Sequence, residues 1–293
     1  MIVREMIGTK SVAKPYGKTV GMAILSWKAW ATIKATLDCY LEQGIFAYFD
    51  DVVLCFQEIC DTDRALAAAF GIRFVGSPTN TGIQGGHELA WNSLQTDFVL
   101  ILENDIIPCE KHTNFAFELS QAIQLLVENK ADLVRLRNRF QPGQGVDFAR
   151  TYSAFWPISA VDPRWCGTEV FDVDPQWKRF LRRCFRPFKA RRWAGRSVYI
   201  EREPNRCFPH LIRLLASDVY HVDSAMLPWT NQSTLISHTL MGRLFEYAQA
   251  HPSRRTIHGF QDLERPLNCA WWQRSHFRIA CPIGCFTHQR LDR

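Results

Sequence analysis

The chain of 293 residues is 47% hydrophobic and 13% aromatic, enough for one large domain or two small ones with a substantial core. It contains no low-complexity tract, no internal repeat and no apolar run long enough to span a membrane. The net charge of +6 is modest, but it is concentrated in one block, residues 178–206.

Residues 1–18 are polar and mixed, with Arg4, Lys10, Lys14 and Lys18. They have no apolar stretch of signal-peptide type, so a cytoplasmic protein is expected. A first strand is predicted over 19–26, ending in Ser26. From 27 to 41 the period turns helical, with Trp30, Ile33, Leu37, Tyr40 and Leu41 on one face and Gly44 as a stop. A strand over 51–56, a helix over 61–70 stopped by Gly71, and a strand over 72–75 come next. This β-α-β-α-β order argues for a parallel sheet with right-handed crossovers. A loop over 77–82 leads to a helix over 83–94. Gly82, Gly85 and Gly86 beside that helix start would let a phosphate approach closely, or they are turn residues. Neither a phosphate-loop pattern nor G-x-G-x-x-G is present.

The next stretch carries the densest signal. Phe98 to Leu102 is an unbroken apolar run, as in a strand buried on both faces, and it ends in Glu103-Asn104-Asp105. Ligands of open α/β sheets gather at the carboxyl ends of strands. Two hard carboxylates delivered there could hold Mg²⁺ or Mn²⁺ against a phosphate, or they could simply end the strand and cap the next segment.

A periodic helix is predicted over 114–129 and another strand over 131–137, where partial alternation of Leu and Val with Asp and Arg suggests an edge or half-exposed position. Pro142-Gly143-Gln144-Gly145 breaks the pattern. We place a boundary there, between a half spanning 1–140 and a variable half spanning 141–293. Residues 178–206 hold eleven Lys and Arg against two acids, Glu201 and Glu203, with aromatics interleaved. Such a block attracts polyanions or an anionic membrane, or forms a solvated face with snorkelling arginines. No nucleic-acid motif accompanies it. After Trp229, any of Thr230, Asn231 and Ser233 can cap a helix running to about 250. Gly259-Phe260-Gln261-Asp262-Leu263-Glu264-Arg265 precedes a short helix with Trp271 and Trp272, and a last strand over 277–281 leads to Phe286-Thr287-His288. The ten cysteines are scattered without a C-x-x-C pair. Cys39, Cys55 and Cys281 read as reduced core residues, and Cys281-x₃-Cys285 lacks the partner pair of a zinc site.

In order and spacing these pieces resemble the family 2 glycosyltransferases of the GT-A fold, apart from residues 141–220. Ser26 matches the end of that family's opening strand at the nucleotide, and Asn80-x-Gly82, Ala90-Trp91-Asn92 and Thr96-Asp97 match the run before its D-x-D metal motif. Glu103-Asn104-Asp105 stands at that motif, with Glu where the family has Asp. Trp229 and Asn231 match its acceptor-side segment. Gln261-Asp262-Leu263-Glu264-Arg265 matches its E-D-x-D-x-x-R region, and His288 its C-terminal histidine near the diphosphate.

The resemblance implies a Rossmann-like, mostly parallel α/β sheet flanked by helices. It implies a nucleotide-sugar donor contacted by Ser26, Asn80, Gly82, Asn104 and His288, and Mn²⁺ or Mg²⁺ held by Asp105, Glu103 and His288. The acceptor, a glycan or lipid-linked glycan, would meet Trp229 and Asn231. Asp262 would be the catalytic base, with Glu264 in reserve, and the sugar would invert at its anomeric carbon. Contact with an anionic membrane through 178–206 would be peripheral, and no nucleic acid is expected. Two other readings stand beside this one. A sugar nucleotidyltransferase would carry a G-x-G-T-R-x-x-P-like loop after the first strand, where Leu25-Ser26-Trp27-Lys28-Ala29-Trp30 stands instead. A catalytically degenerate sugar-binding module is suggested by Glu103 and Gln261.

Overall fold

A computed structural model describes residues 17–109, 114–143, 148–165 and 174–289. The N-terminal segment 1–16, Cys166, Gln144 and Gly145 lie outside the described residues. The chain opens with β1 (Val20–Ser26), α1 (Trp30–Glu42), β2 (Asp51–Phe56), α2 (Asp61–Phe70), β3 (Arg73–Gly76), α3 (Gly82–Asn92) and β4 (Phe98–Glu103). It continues through β5 (Ile106–Pro108), α4 (Phe115–Val127), β6 (Leu133–Arg135), α5 (Phe148–Ser153), α6 (Gln176–Phe185), α7 (Pro187–Arg196) and α8 (Pro204–Cys207). It closes with β7 (Ile212–Ala216), β8 (Val219–Asp223), β9 (Thr234–Ser237), α9 (His238–Ala250), α10 (Glu264–Leu267), α11 (Ala270–Arg274), β10 (Arg278–Cys281) and β11 (Phe286–His288).

Nine strands form one sheet in the order β3-β2-β1-β4-β9-β6-β10-β8-β7, and β11 pairs with β5 in a separate ribbon. The pairings set β1 to β4, β6, β7 and β10 in one direction and β8 and β9 against them. The all-apolar runs of β1 and β4 follow from this placement, because helices cover both faces. Met22, Ile24, Leu54, Leu100 and Leu102 pack with Ile33, Leu37 and Tyr40 of α1 and Leu119 and Ile123 of α4. Their neighbours Ala23, Leu25, Val53, Val99 and Ile101 face the other way, toward Ala90 of α3 and Leu244 and Phe245 of α9. Leu100 is fully buried at the centre of this packing. Leu100→Ala is expected to cost about 2–5 kcal/mol of stability by loss of transfer energy plus the cavity left behind, to be read by chemical denaturation.

Two sequence expectations need correction. The 131–137 segment is neither an edge nor half exposed: β6 lies between β9 and β10, and Leu133, Val134 and Arg135 are all buried. Its arginine is held there by three hydrogen bonds from the two terminal nitrogens, Nη1 to Thr230 O and Thr234 Oγ1 and Nη2 to Pro228 O, while the buried Nε has no hydrogen-bond partner. The predicted helix from 230 begins later. Residues 234–237 extend as β9, pairing antiparallel with β4 and β6, and Ser237 then caps α9 through its Oγ, 3.2 Å from Leu240 N. A short apolar run flanked by two strands gains ladder bonds on both sides, which a helical start cannot offer. The insertion of β9 also makes residues before and after 140 share one sheet.

Candidate active site

One edge of the sheet collects most of the singled-out residues. The carboxyl ends of β1, β2 and β4 lie there, with Ser26 paired to Phe56 and Leu25 to Glu103. β9 runs the other way, so the segment entering it, 228–233, reaches the same edge, where Thr234 pairs with Ile101 and Arg135. The strand ends and the segment entering β9 thus converge at the place where open α/β sheets bind ligands.

The turn after β4 is clamped by α1. Thr36 Oγ1 donates to Asn104 O at 2.6 Å and Tyr40 OH to Ile106 O at 2.7 Å. Asn104 Nδ2 points back to Ser26 Oγ at 3.4 Å. Asp105 Oδ2 meets His288 Nε2 at 2.8 Å, and the Asp105 carbonyl accepts from Gln289 N at 2.9 Å. The β5–β11 ribbon sets this contact by pairing His288 with Ile106. From behind, Leu136 O accepts from both Cys285 N and Phe286 N, and Asn138 N donates to Phe286 O.

Gly143, at φ +87, sits so close that a Cβ there would stand 2.3 Å from His288 O. Gly143→Ala is therefore expected to lose about 1–3 kcal/mol from the left-handed backbone alone. It should also push His288 away from Asp105, and the melting temperature should fall.

Glu103 does not join this pair in the structure. Its Oε1 lies 3.8 Å from Nε2 of His87, a buried α3 side chain whose Nε2 has no hydrogen-bond partner. Among the described residues there is no group of three or more His, Cys, Asp or Glu able to hold a metal ion. Asp105 and His288 are a two-residue set, one hard oxygen and one imidazole nitrogen. Such a set suits Mn²⁺ or Mg²⁺ when a diphosphate supplies further oxygens, because Mg²⁺ in particular is usually bound by one or two carboxylates plus substrate phosphates.

Asn80 and Gly82 shape the entry to α3. Asn80 Oδ1 accepts from Gly82 N at 2.8 Å, and buried Gln57 ties the same turn by accepting from Thr81 N and Oγ1 and donating to Gly82 O. Gly82 has φ +73, and a Cβ there would lie 2.2 Å from Cβ of Phe260. Gln84 N donates to Gln261 O at 3.2 Å. The start of α3 is thereby docked on the loop that carries Asp262.

Asp262 and Glu264 share one network with Asn231. Asn231 Nδ2 donates to Asp262 Oδ1 at 3.2 Å, and so does Glu264 N. Asp262 Oδ2 lies 4.0 Å from Arg265 Nε. Glu264 Oε1 accepts from Thr230 Oγ1 at 2.8 Å and Asn231 N at 3.0 Å. Trp229 Nε1 donates to Asn231 Oδ1 at 3.1 Å, while the ring is buried edge-on against Trp272 with Arg135 over its face. Trp229 therefore acts as a support for Asn231. A small cavity is lined by His87, Trp229, Asn231 and Met241.

Buried cations back this network. Burial holds the Arg135 guanidinium below its ordinary value. Arg137 is pushed down to about 10, by burial first, with Arg135 and Arg196 adding to the shift and Tyr199 and Glu264 opposing it. Arg137 Nε donates to Pro142 O at 2.7 Å, just before the glycine behind His288.

His87, Gln57 and Arg135 were not singled out in the sequence. A polar residue on the buried face of α3 was the available signal for His87. For Arg135 the only signal was an arginine inside an apolar run, which the alternating reading assigned to solvent.

No family model matches the sequence, nor does any curated protein. Among solved structures, the chain is similar to S. aureus TarS 1–349 in complex with UDP-GlcNAc, at 11% identity and TM-score 0.48, covering 94% of this chain and 59% of that one. It is also similar to glucosyl-3-phosphoglycerate synthase from Mycobacterium tuberculosis. In the complex of that protein with Mn²⁺, UDP and phosphoglyceric acid, identity is 14% and TM-score 0.39, covering 81% of this chain and 60% of that one. In its complex with Mg²⁺ and UDP, identity is 18% and TM-score 0.32, covering 45% and 46%. The chain spans less than two thirds of the length of each of these proteins.

Proposed function

We propose that the chain is a glycosyltransferase of the GT-A class. More particularly, it moves a sugar from a nucleotide-diphospho-sugar to an acceptor hydroxyl with inversion. The observation that carries this reading is the placement of two separate acidic groups at one sheet edge: Asp105 with His288 just after β4, and Asp262 with Asn231 and Glu264 beside the segment that enters β9, the strand paired with β4. Residues 1–140 serve chiefly the donor and 141–293 the acceptor. Ser26, Asn104 and the Asn80–Gly82 turn border the nucleotide side. Asp105 and His288 are the residues that would hold Mn²⁺ or Mg²⁺, which when bound neutralises the leaving diphosphate. Glu103 stands within reach of that side while resting near His87.

Asp262 is the base. Its Oδ1 takes two hydrogen bonds that fix the carboxylate plane, and Oδ2 accepts the proton from the attacking hydroxyl. Glu264 positions the Thr230–Asn231 backbone. A single base on the face opposite the leaving group gives inversion. Thermal stabilisation by UDP-, GDP- and dTDP-sugars, each with and without Mn²⁺, tests the donor reading. At least one donor should raise the melting temperature more with Mn²⁺ than without. No stabilisation by any of them would remove the reading.

The acceptor reading includes a lipid surface. No helix among the described residues is long and apolar enough to cross a membrane. Helix α6 instead turns its arginines inward: Arg179 donates to Ser153 O, Arg182 to Ala154 O and Arg183 to Phe155 O. Its aromatic side faces out, with Phe185 81% exposed and Phe188 of α7 75% exposed. Exposed rings beside Lys178 and Arg186 are the composition of an interfacial helix on anionic lipid. Phe185→Ser with Phe188→Ser should reduce co-sedimentation with anionic vesicles several-fold. Equal binding of this double variant and the wild type would discard the membrane contact.

A further inference from the structure

A cleft of about 970 Å³ opens between α7, α11 and the segment around Pro228. Lys189, Arg191, Arg192, Arg196, Arg274 and His276 line it, and no Asp or Glu does among the described residues. His276 is engaged by Asp223 through Nδ1, at 2.9 Å. Arg192 Nη2 reaches Asn268 O at 3.3 Å, and Arg196 stacks on Trp193 at 4.8 Å. Five permanent cations, four from α7 and one from α11, thus line the cleft, and no carboxylate is among its described lining residues. Like charges so placed repel, and the guanidinium fork is the side chain best matched to phosphate oxygens. Burial, with Arg192 and Arg135 adding to it and Tyr199 and Glu264 opposing it, holds the Arg196 guanidinium below its ordinary value.

The cleft adjoins the acceptor side of the site. Pro228 lines it, and the Pro228 carbonyl accepts from Arg135 at 2.7 Å. Asn268, also in the wall, donates through Nδ2 to Trp229 O at 3.1 Å. The next residues, Thr230 and Asn231, hold Glu264 and Asp262. At the outer lip stands Phe188, part of the exposed aromatic face.

We infer that this cleft binds a phosphate or diphosphate group of the acceptor substrate, on the side of Asp262 away from the donor. This rests on the transferase reading. The phosphate can be carried by a lipid anchored at the aromatic lip or by a soluble phosphorylated acceptor.

Inorganic pyrophosphate is the probe, titrated calorimetrically at low ionic strength with EDTA present, so that no metal bridges it to Asp105. Wild type and Asp105→Ala should bind it alike. Arg191→Ala combined with Arg274→Ala, both at exposed positions, should bind it at least about 100-fold more weakly, roughly tenfold for each charge-assisted bond lost. The same double variant should bind UDP-sugar with Mn²⁺ as the wild type does. Pyrophosphate binding that is absent in the wild type, or unchanged in the double variant, overturns the cleft assignment while donor binding persists. Pyrophosphate binding with no nucleotide-sugar binding overturns the transferase reading and leaves a phosphate site. Vesicles containing phosphatidic acid or phosphatidylserine at equal charge then separate the sources. Preference for phosphatidic acid that disappears in the double variant identifies a lipid-borne phosphate. Pyrophosphate binding without that preference identifies a soluble one.

Discussion

Asp262→Asn should bind nucleotide sugar and metal as the wild type does, yet transfer sugar about 10²–10⁴-fold more slowly, the usual effect of losing a general base. The structure makes this substitution a clean one. Asn retains an Oδ1 to accept from Asn231 Nδ2 and Glu264 N, so the loop keeps its anchors. What disappears is the basicity of the second oxygen, the atom near Arg265. Glu264→Gln should have a milder effect, because its Oε1 serves Thr230 Oγ1 and Asn231 N and an amide oxygen can do the same. Transfer rate and donor affinity, measured side by side for both variants, decide the assignment. Near-normal turnover in Asp262→Asn with loss in Glu264→Gln would move the base by two residues.

Asp105→Ala should abolish the metal-dependent part of donor binding. Mutating outer-shell partners of a metal typically costs 10–100-fold in affinity, and removing a direct ligand from a two-residue set should cost more than about 100-fold. The turn itself should survive, since it is clamped by Thr36 and Tyr40 on backbone carbonyls and by Gln289 N on the Asp105 carbonyl, none of which involves the carboxylate. His288→Ala should lower the same affinity, and Glu103→Ala should do less because its carboxylate lies near His87 instead. Unaltered Mn²⁺ dependence of UDP-sugar affinity in Asp105→Ala would show the metal assignment to be wrong.

Much of this architecture was legible in the sequence where one local rule acted alone. β2 and α2 fall where alternation, apolar runs and Gly71 place them, because both lie in regular β-α-β crossovers. The 98–102 run announced a strand covered on both faces, and Asp105 at its end was conspicuous for that reason. Legibility failed where tertiary pairing overrode local pattern. Residues 234–237 carry a helical-looking Leu235, but two neighbouring strands claim their backbone. Arg135 and Arg137 looked like solvent-facing charges because sequence cannot supply the carbonyls of Pro228, Thr230 and Pro142 that accept from them. In the basic block, sequence could not show which charges turn inward: the α6 arginines serve carbonyls at 153–155 and its rings face out, while Lys189, Arg191, Arg192 and Arg196 line a cleft. His87 was silent because its significance depends on Glu103 arriving from another strand.

Asp105 with His288, and Asp262 with Asn231, form the two sides of one nucleotide-sugar transfer site in the proposed function. Release of nucleoside diphosphate from UDP-, GDP- and dTDP-sugars by the purified full chain, with Mn²⁺ or with EDTA, tests this pairing most directly. The expected result is release from at least one of these donors with Mn²⁺, its suppression by EDTA, and its loss in Asp105→Ala. No release from any of them with Mn²⁺, or release that is the same in EDTA and in Asp105→Ala, would contradict it.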